Sequence, residues 1–209
     1  MSNTCIAILL DSSGSMGNLK MGTMKSINDF ISEYKQANNQ DKTLLSLYTF
    51  SSTLYISEPP ASIIYDFVDI NECEPITYDD YITSGMTGLC DAQHYAITDF
   101  NNKISSMNEQ PNKVIFIVIT DGYENASHIQ SFDSVKELVN DMSDNHQWKF
   151  VYLGANQDSF QQGSQIGIPR ESSMDYDATD EGIYTAFSQM TTQIISYSQD
   201  IIQDIILTE

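Results

Sequence analysis

Asp11-Ser12-Ser13-Gly14-Ser15 places one carboxylate beside three hydroxyls. Every side-chain donor in the stretch is an oxygen. Such a set suits a hard cation, Mg2+, Mn2+ or Ca2+, rather than zinc, which favours nitrogen and sulfur. Asp and Ser are also the preferred N-caps of helices, so the stretch taken alone fits an ordinary helix start equally well.

The elements on either side decide where these oxygens sit. Cys5-Ile6-Ala7-Ile8-Leu9-Leu10 is a continuous apolar run and reads as a strand buried on both faces. Residues 18–37 carry helical spacing at Met21, Met24, Ile27, Phe30, Ile31 and Tyr34. A second apolar run, Val114-Ile115-Phe116-Ile117-Val118-Ile119, ends in Thr120-Asp121-Gly122. Strands are further expected over residues 43–50, 53–57 and 148–153, with a last edge strand beginning at 166–168. The short link Ser51-Ser52 predicts a hairpin and hence one antiparallel strand. Helices are expected over 62–71, 87–107, 131–145, 157–163 and 179–207; residues 72–86 and 170–177 read as irregular. Strands alternating with helices predict an α/β fold, a doubly wound, mostly parallel sheet with helices on both faces. Ligands of such sheets bind beyond the carboxyl ends of the strands. If the two apolar strands are neighbours, Asp11 and Asp121 flank that crevice.

Composition narrows the function. A formal net charge of -20, from 29 acidic and 9 basic residues, argues against a nucleic-acid surface and against anionic membranes. Cys5, Cys73 and Cys90 have no metal-type spacing and an odd count, which fits a reducing compartment. The first residues lack a basic segment followed by an apolar core, and no apolar run reaches membrane-spanning length. The expectation is a soluble, cytoplasmic protein with one domain over residues 1–209.

Several chemistries fail on spacing. Gly14 and Gly17 do not make a dinucleotide fingerprint, and there is no Gly-Lys-Ser/Thr phosphate loop. Gly14-Ser15-Met16-Gly17 is one residue short of a nucleophile elbow. His94, His128 and His146 have no recognisable catalytic context. The enzyme alternative is a Mg2+-dependent phosphatase or phosphotransferase with Asp11 as nucleophile and Asp121 on the metal. Such enzymes carry a second Asp two residues after the first; here that position is Ser13, a poor proton shuttle.

Asp11-x-Ser13-x-Ser15, Thr87 within Ser84-Gly85-Met86-Thr87-Gly88, and Thr120-Asp121-Gly122 together resemble the metal-ion-dependent adhesion site of von Willebrand factor A domains. The resemblance covers roughly residues 4–167. Residues 121–127 and 153–158 look like segments of small stand-alone bacterial and phage members, including those associated with tellurium resistance. The resemblance implies sheet order 3-2-1-4-5-6 with strand 3 antiparallel, and a binding role without catalysis. It implies that Ser13, Ser15 and Thr87 give hydroxyl oxygens to the metal, and that Asp11 and Asp121 bind it directly or through water.

Two carboxylates and three neutral hydroxyls balance a divalent charge and leave a position open. The expected cofactor is Mg2+, with Mn2+ or Ca2+ as alternatives. The expected partner is a protein presenting an Asp or Glu carboxylate, flanked by the loops at Tyr78-Asp79-Asp80-Tyr81 and Tyr123-Glu124. Asp91 and Glu124 lie near this rim in sequence and read as solvated side chains or rim ligands. The apolar stripe Phe187, Met190, Ile194, Tyr197, Ile201, Ile205 fits packing on the sheet, or self-association if the helix overruns it.

Overall fold

The computed structural model describes residues 3–37, 41–52, 58–155 and 158–207. The two uniformly apolar runs form β1 (Asn3–Asp11) and β4 (Lys113–Thr120), parallel neighbours at the centre of the sheet. An unbroken apolar strand needs cover on both faces, and both strands have it. β2 (Lys42–Phe50) lies parallel to β1, and β5 (Lys149–Ala155) parallel to β4. β3 (Ser62–Asp69) runs antiparallel to β2 at one edge; β6 (Ser173–Tyr176) runs parallel to β5 at the other. The six-stranded order is β3-β2-β1-β4-β5-β6, as expected for this α/β fold.

Alternation along β1 divides the interior in two. Ile6, Ile8 and Leu10 pack with α1 (Lys20–Ala37) and α5 (Asp180–Ser198) through Phe30, Ile31, Phe187 and Ile194. Cys5, Ala7 and Leu9 pack with α2 (Leu89–Ser105) and α3 (Phe132–His146) through Ala96, Phe100, Val135 and Val139. The thiols of Cys5, Cys73 and Cys90 are free and buried, and burial pushes that of Cys5 up to about 12, so it is a core residue rather than a reactive one.

Residues 62–69 and 166–176 differ from the expectation. Residues 62–69 form β3, not a helix: the β-branched and aromatic Ile63, Ile64, Tyr65, Phe67 and Val68 pair with β2, with a register shift near Leu47. Residues 53–57, expected as the antiparallel hairpin strand, lie outside the described residues. The edge strand is residues 173–176, within the stretch read as loop. Residues 166–168 instead turn out of α4 (Ser159–Gln165), with Gly167 at φ +83 and Pro169 unable to donate to a ladder.

The long C-terminal helix ends at Ser198, not near residue 207. The ammonium of Lys113, the first residue of β4, donates to the carbonyls of Tyr197 (2.7 Å) and Ser198 (3.0 Å). Asp200 takes φ +59, which turns the chain out of the helix. The remaining tail folds back: Lys149 pairs with Asp204, and the N–H of Leu207 donates to the carbonyl of Glu171 at 2.7 Å. Ile205 and Leu207 are buried, whereas Ile201 and Ile206 stay exposed.

Burial of an Ile or Leu contributes about 1.5–3 kcal/mol. Truncation after Ser198 is therefore expected to lower the urea midpoint and remove roughly 3 kcal/mol or more of stability. An unchanged midpoint would show that the tail is not part of the core.

Candidate metal centre

Parallel pairing brings the two carboxylates to one end of the sheet. Leu10 of β1 stands opposite Ile119 of β4, so Asp11 emerges beside Thr120 and Asp121 follows at once. Asp11 is fully buried. Its Oδ1 accepts the N–H of Ser13 (2.6 Å), its Oδ2 the hydroxyl of Thr120 (2.6 Å). Its backbone carbonyl accepts the hydroxyl of Tyr81.

The hydroxyls continue the line. Ser13 Oγ lies 3.1 Å from Ser15 Oγ, and Ser15 Oγ donates to Asp121 Oδ1 at 2.6 Å. Ser13 precedes a 3-10 turn (Gly14–Asn18), yet its side chain makes no capping bond. The plain helix-cap reading therefore does not account for these oxygens. Thr87 approaches from the third side. A Cβ added to Gly122 would lie 2.9 Å from Thr87 Oγ1 and 3.9 Å from Ser15 Oγ, so only glycine lets the three come together. All five expected site residues thus meet at the carboxyl ends of β1 and β4.

The loops are tied to one another by backbone bonds. Gly14 N–H donates to Gly85 O (3.0 Å), Ser84 N–H to Ser12 O (2.8 Å), and Ser52 N–H to Met86 O (2.7 Å). Gly85 adopts φ +78 to make this turn.

Charge accumulates here. Burial pushes the Asp11 carboxyl up to about 6, with repulsion from Asp121 adding a smaller share. Burial also raises Asp121. The Tyr81 and Tyr176 hydroxyls are raised by burial and then by these carboxylates. Two desolvated carboxylates and three hydroxyls make a donor set that fits a hard divalent cation. Among the described residues no group of three or more His, Cys, Asp or Glu side chains is placed to hold a metal, so nitrogen or thiolate ligation has no candidate there.

Asp91 and Glu124 are half-buried and spend their carboxylates on backbone N–H groups. Asp91 accepts the N–H groups of His128, Ile129 and Gln130, and Glu124 those of Cys90, Ala126 and Ser127. Sequence reading missed Thr120 as the partner of Asp11, and Asn125 as that of Thr87. Thr120, directly preceding Asp121 at a strand end, was the one signal available.

The family model described as von Willebrand factor type A domain matches residues 6–189, and the chain belongs to that family. Its members are generally protein-interaction modules. Similar solved structures include the PilB minor pilin from Streptococcus sanguinis, with TM-score 0.66 and 13% identity over 97% of this chain and 63% of that one. The pilus adhesin SpaC from Lactobacillus rhamnosus GG gives TM-score 0.69 and 13% identity over 94% of this chain and 30% of that one. The SpRpn10 VWA domain gives TM-score 0.58 and 10% identity over 90% of this chain and 94% of that one. The chain spans less than two thirds of the two pilus proteins, and identities this low establish the fold alone. No curated protein sequence matches the chain.

The raised Asp11 has a sign that can be measured. Its folded value, about 6, lies above that of an ordinary Asp carboxyl, so protonation favours the folded state. That stabilisation is complete below the unfolded value and is lost as pH rises through about 6. Asp11→Asn mimics the neutral form, and Thr120 can accept from the new amide. In EDTA at pH 7 the variant is expected to melt several degrees above wild type, the gap corresponding to about 2–3 kcal/mol and closing as pH falls to 4. A variant less stable than wild type at pH 7 would show that the buried charge is not a source of strain.

Proposed function

We propose that this domain is a divalent-metal-dependent protein-binding module. Mg2+, with Mn2+ or Ca2+ as alternatives, is held by Asp11, Ser13, Ser15, Thr87 and Asp121 and accepts a carboxylate from a partner protein. The observation that carries this reading is the hydrogen-bonded line Asp11–Ser13–Ser15–Asp121, with the Thr87 hydroxyl set against Gly122. The ion supplies an electrophilic position for an anionic oxygen. The chain's residues set its charge: two carboxylates cancel the ion, and the hydroxyls add ligation without adding charge.

A nucleophilic role for Asp11 is disfavoured by its surroundings. It is fully buried, out of reach of a substrate phosphate, and Ser13, which stands where such enzymes carry a second Asp, has no carboxyl to move a proton. The domain acts by binding and does not catalyse.

The face around the site suggests the partner. Its loops, residues 11–19, 51–52, 58–61, 77–88, 121–131, 158 and 177–179, hold eight carboxylates and no lysine or arginine. Tyr78, Ile82, Met86, Tyr123 and Ile129 are exposed in the same loops. This supports a partner with a basic or neutral surface, apolar contacts and one acidic residue, and speaks against nucleic acid and anionic membrane. No described helix is long and apolar enough to cross a membrane. Free, buried thiols fit the cytoplasm. The segments at 121–127 and 153–158 suggest the tellurium-resistance-associated subgroup. Self-association through the C-terminal end would use Ile201 and Ile206, which stay exposed.

Calorimetric titration tests the site. Wild type is expected to take up one Mg2+, Thr87→Ala to bind it more weakly, and Asp121→Ala more weakly still. At ten times the dissociation constant, Mg2+ should add about 1.4 kcal/mol and raise the melting point by roughly 3–5 °C. Equal heats for all three proteins would refute the site. Mg2+-dependent turnover of p-nitrophenyl phosphate that disappears in Asp11→Asn would refute the binding role.

A further inference from the structure

We infer that Glu124 and Asn125 are positioning residues of the metal centre that hold Thr87 in register with Asp121; this rests on the metal reading proposed above. Thr87 lies in residues 81–88, which form no helix or strand. The bond from Ser52 N–H to Met86 O ties down the residue before it. Asn125 holds Thr87 itself by two bonds, one to its side chain and one from its backbone. Its Oδ1 accepts the N–H of Thr87 at 3.0 Å, and its N–H donates to the carbonyl of Thr87 at 3.0 Å.

Glu124 secures the next turn. Its Oε2 accepts the N–H of Cys90 (2.7 Å) and the hydroxyl of Ser127 (2.7 Å). Its Oε1 accepts the N–H groups of Ala126 and Ser127, both at 2.8 Å. α2 begins at Leu89 behind Gly88, which has no side chain to cap it. Glu124 fills that place from another segment, where a carboxylate is favoured by the helix dipole. Asp91, in the first turn of α2, receives the N–H groups of residues 128–130 in return.

The loop that starts at Asp121 is thus laced to the segment that starts at Thr87. The two ligands outside the first loop become one unit. The 2.9 Å space between Thr87 Oγ1 and the would-be Cβ of Gly122 measures how closely that unit must be held. Outer bonds that orient metal ligands are worth about 10–100-fold in metal affinity.

The test pairs two variants. Asn125→Ala removes the acceptor for the Thr87 N–H; Asn125→Asp keeps an acceptor oxygen in place. Mg2+ dissociation constants are measured by calorimetry in 0.5 M KCl, which screens the added charge. Melting points in EDTA are measured alongside, and Asp121→Ala serves as the control. Asn125→Ala is expected to weaken Mg2+ binding by about tenfold or more. Asn125→Asp should restore most of that loss, with both EDTA melting points close to wild type. Wild-type affinity in Asn125→Ala would overturn the inference. So would a loss that Asn125→Asp does not rescue and that tracks an equal fall in both EDTA melting points, since a loop stabiliser alone behaves that way. If wild type itself shows no Mg2+ uptake that depends on Asp121, the metal reading has failed and the inference falls with it.

Discussion

An ionisable carboxylate buried at the end of the central strand is the constraint on which this end of the molecule depends. Asp11 has no exposed surface, and no cationic side chain among the described residues bonds to it. Its partners are neutral donors, the N–H of Ser13 and the hydroxyl of Thr120. Such bonds offset part of the desolvation cost but not all of it, which is why its carboxyl titrates near 6 rather than near 4. The parallel sheet then brings Asp121 to the same end, where the two like charges oppose each other. A fold that gathers a fully buried and a half-buried carboxylate at one end of the sheet is poised for a cation.

The rest of the site follows from how the chain leaves the strands. β1 passes into α1 on one face, while α2 and α3 lie on the other, so a cleft opens above β1 and β4. Three loops meet there. The first brings Asp11, Ser13 and Ser15, the second Thr87, and the third Asp121. Small residues keep the loops close: Gly85 turns with positive φ, and Gly122 leaves room for the Thr87 hydroxyl. The acid-rich, apolar-studded rim lies directly outside. The hydroxyls matter as much as the carboxylates, because they ligate without adding further negative charge against an incoming carboxylate.

Much of this was legible in the sequence, for a physical reason. Asp11, Ser13, Ser15 and Asp121 each follow an apolar run so uniform that only a central strand explains it. Thr87 was legible only through family resemblance, because its segment has no periodicity. Glu124 and Asn125 were not legible in their braced role. Their bonds reach Cys90 and Thr87 across 34 and 38 positions, a distance no local pattern reports. Residues 62–69 were misread because Ile63, Ile64, Phe67 and Val68 also fit a helical period; pairing with β2 decides it. Residues 199–207 continue the apolar period of α5, yet the helix stops at Ser198, where Lys113, far away in sequence, caps it and Asp200 turns the chain out.

An anomalous difference map from crystals soaked in Mn2+ shows whether a cation occupies the crevice. One strong peak is expected among Asp11, Ser13, Ser15, Thr87 and Asp121, absent in crystals of Asp121→Ala. A map with no peak there, or one whose strongest protein-bound peak lies elsewhere on the acidic surface, would contradict the proposed metal site.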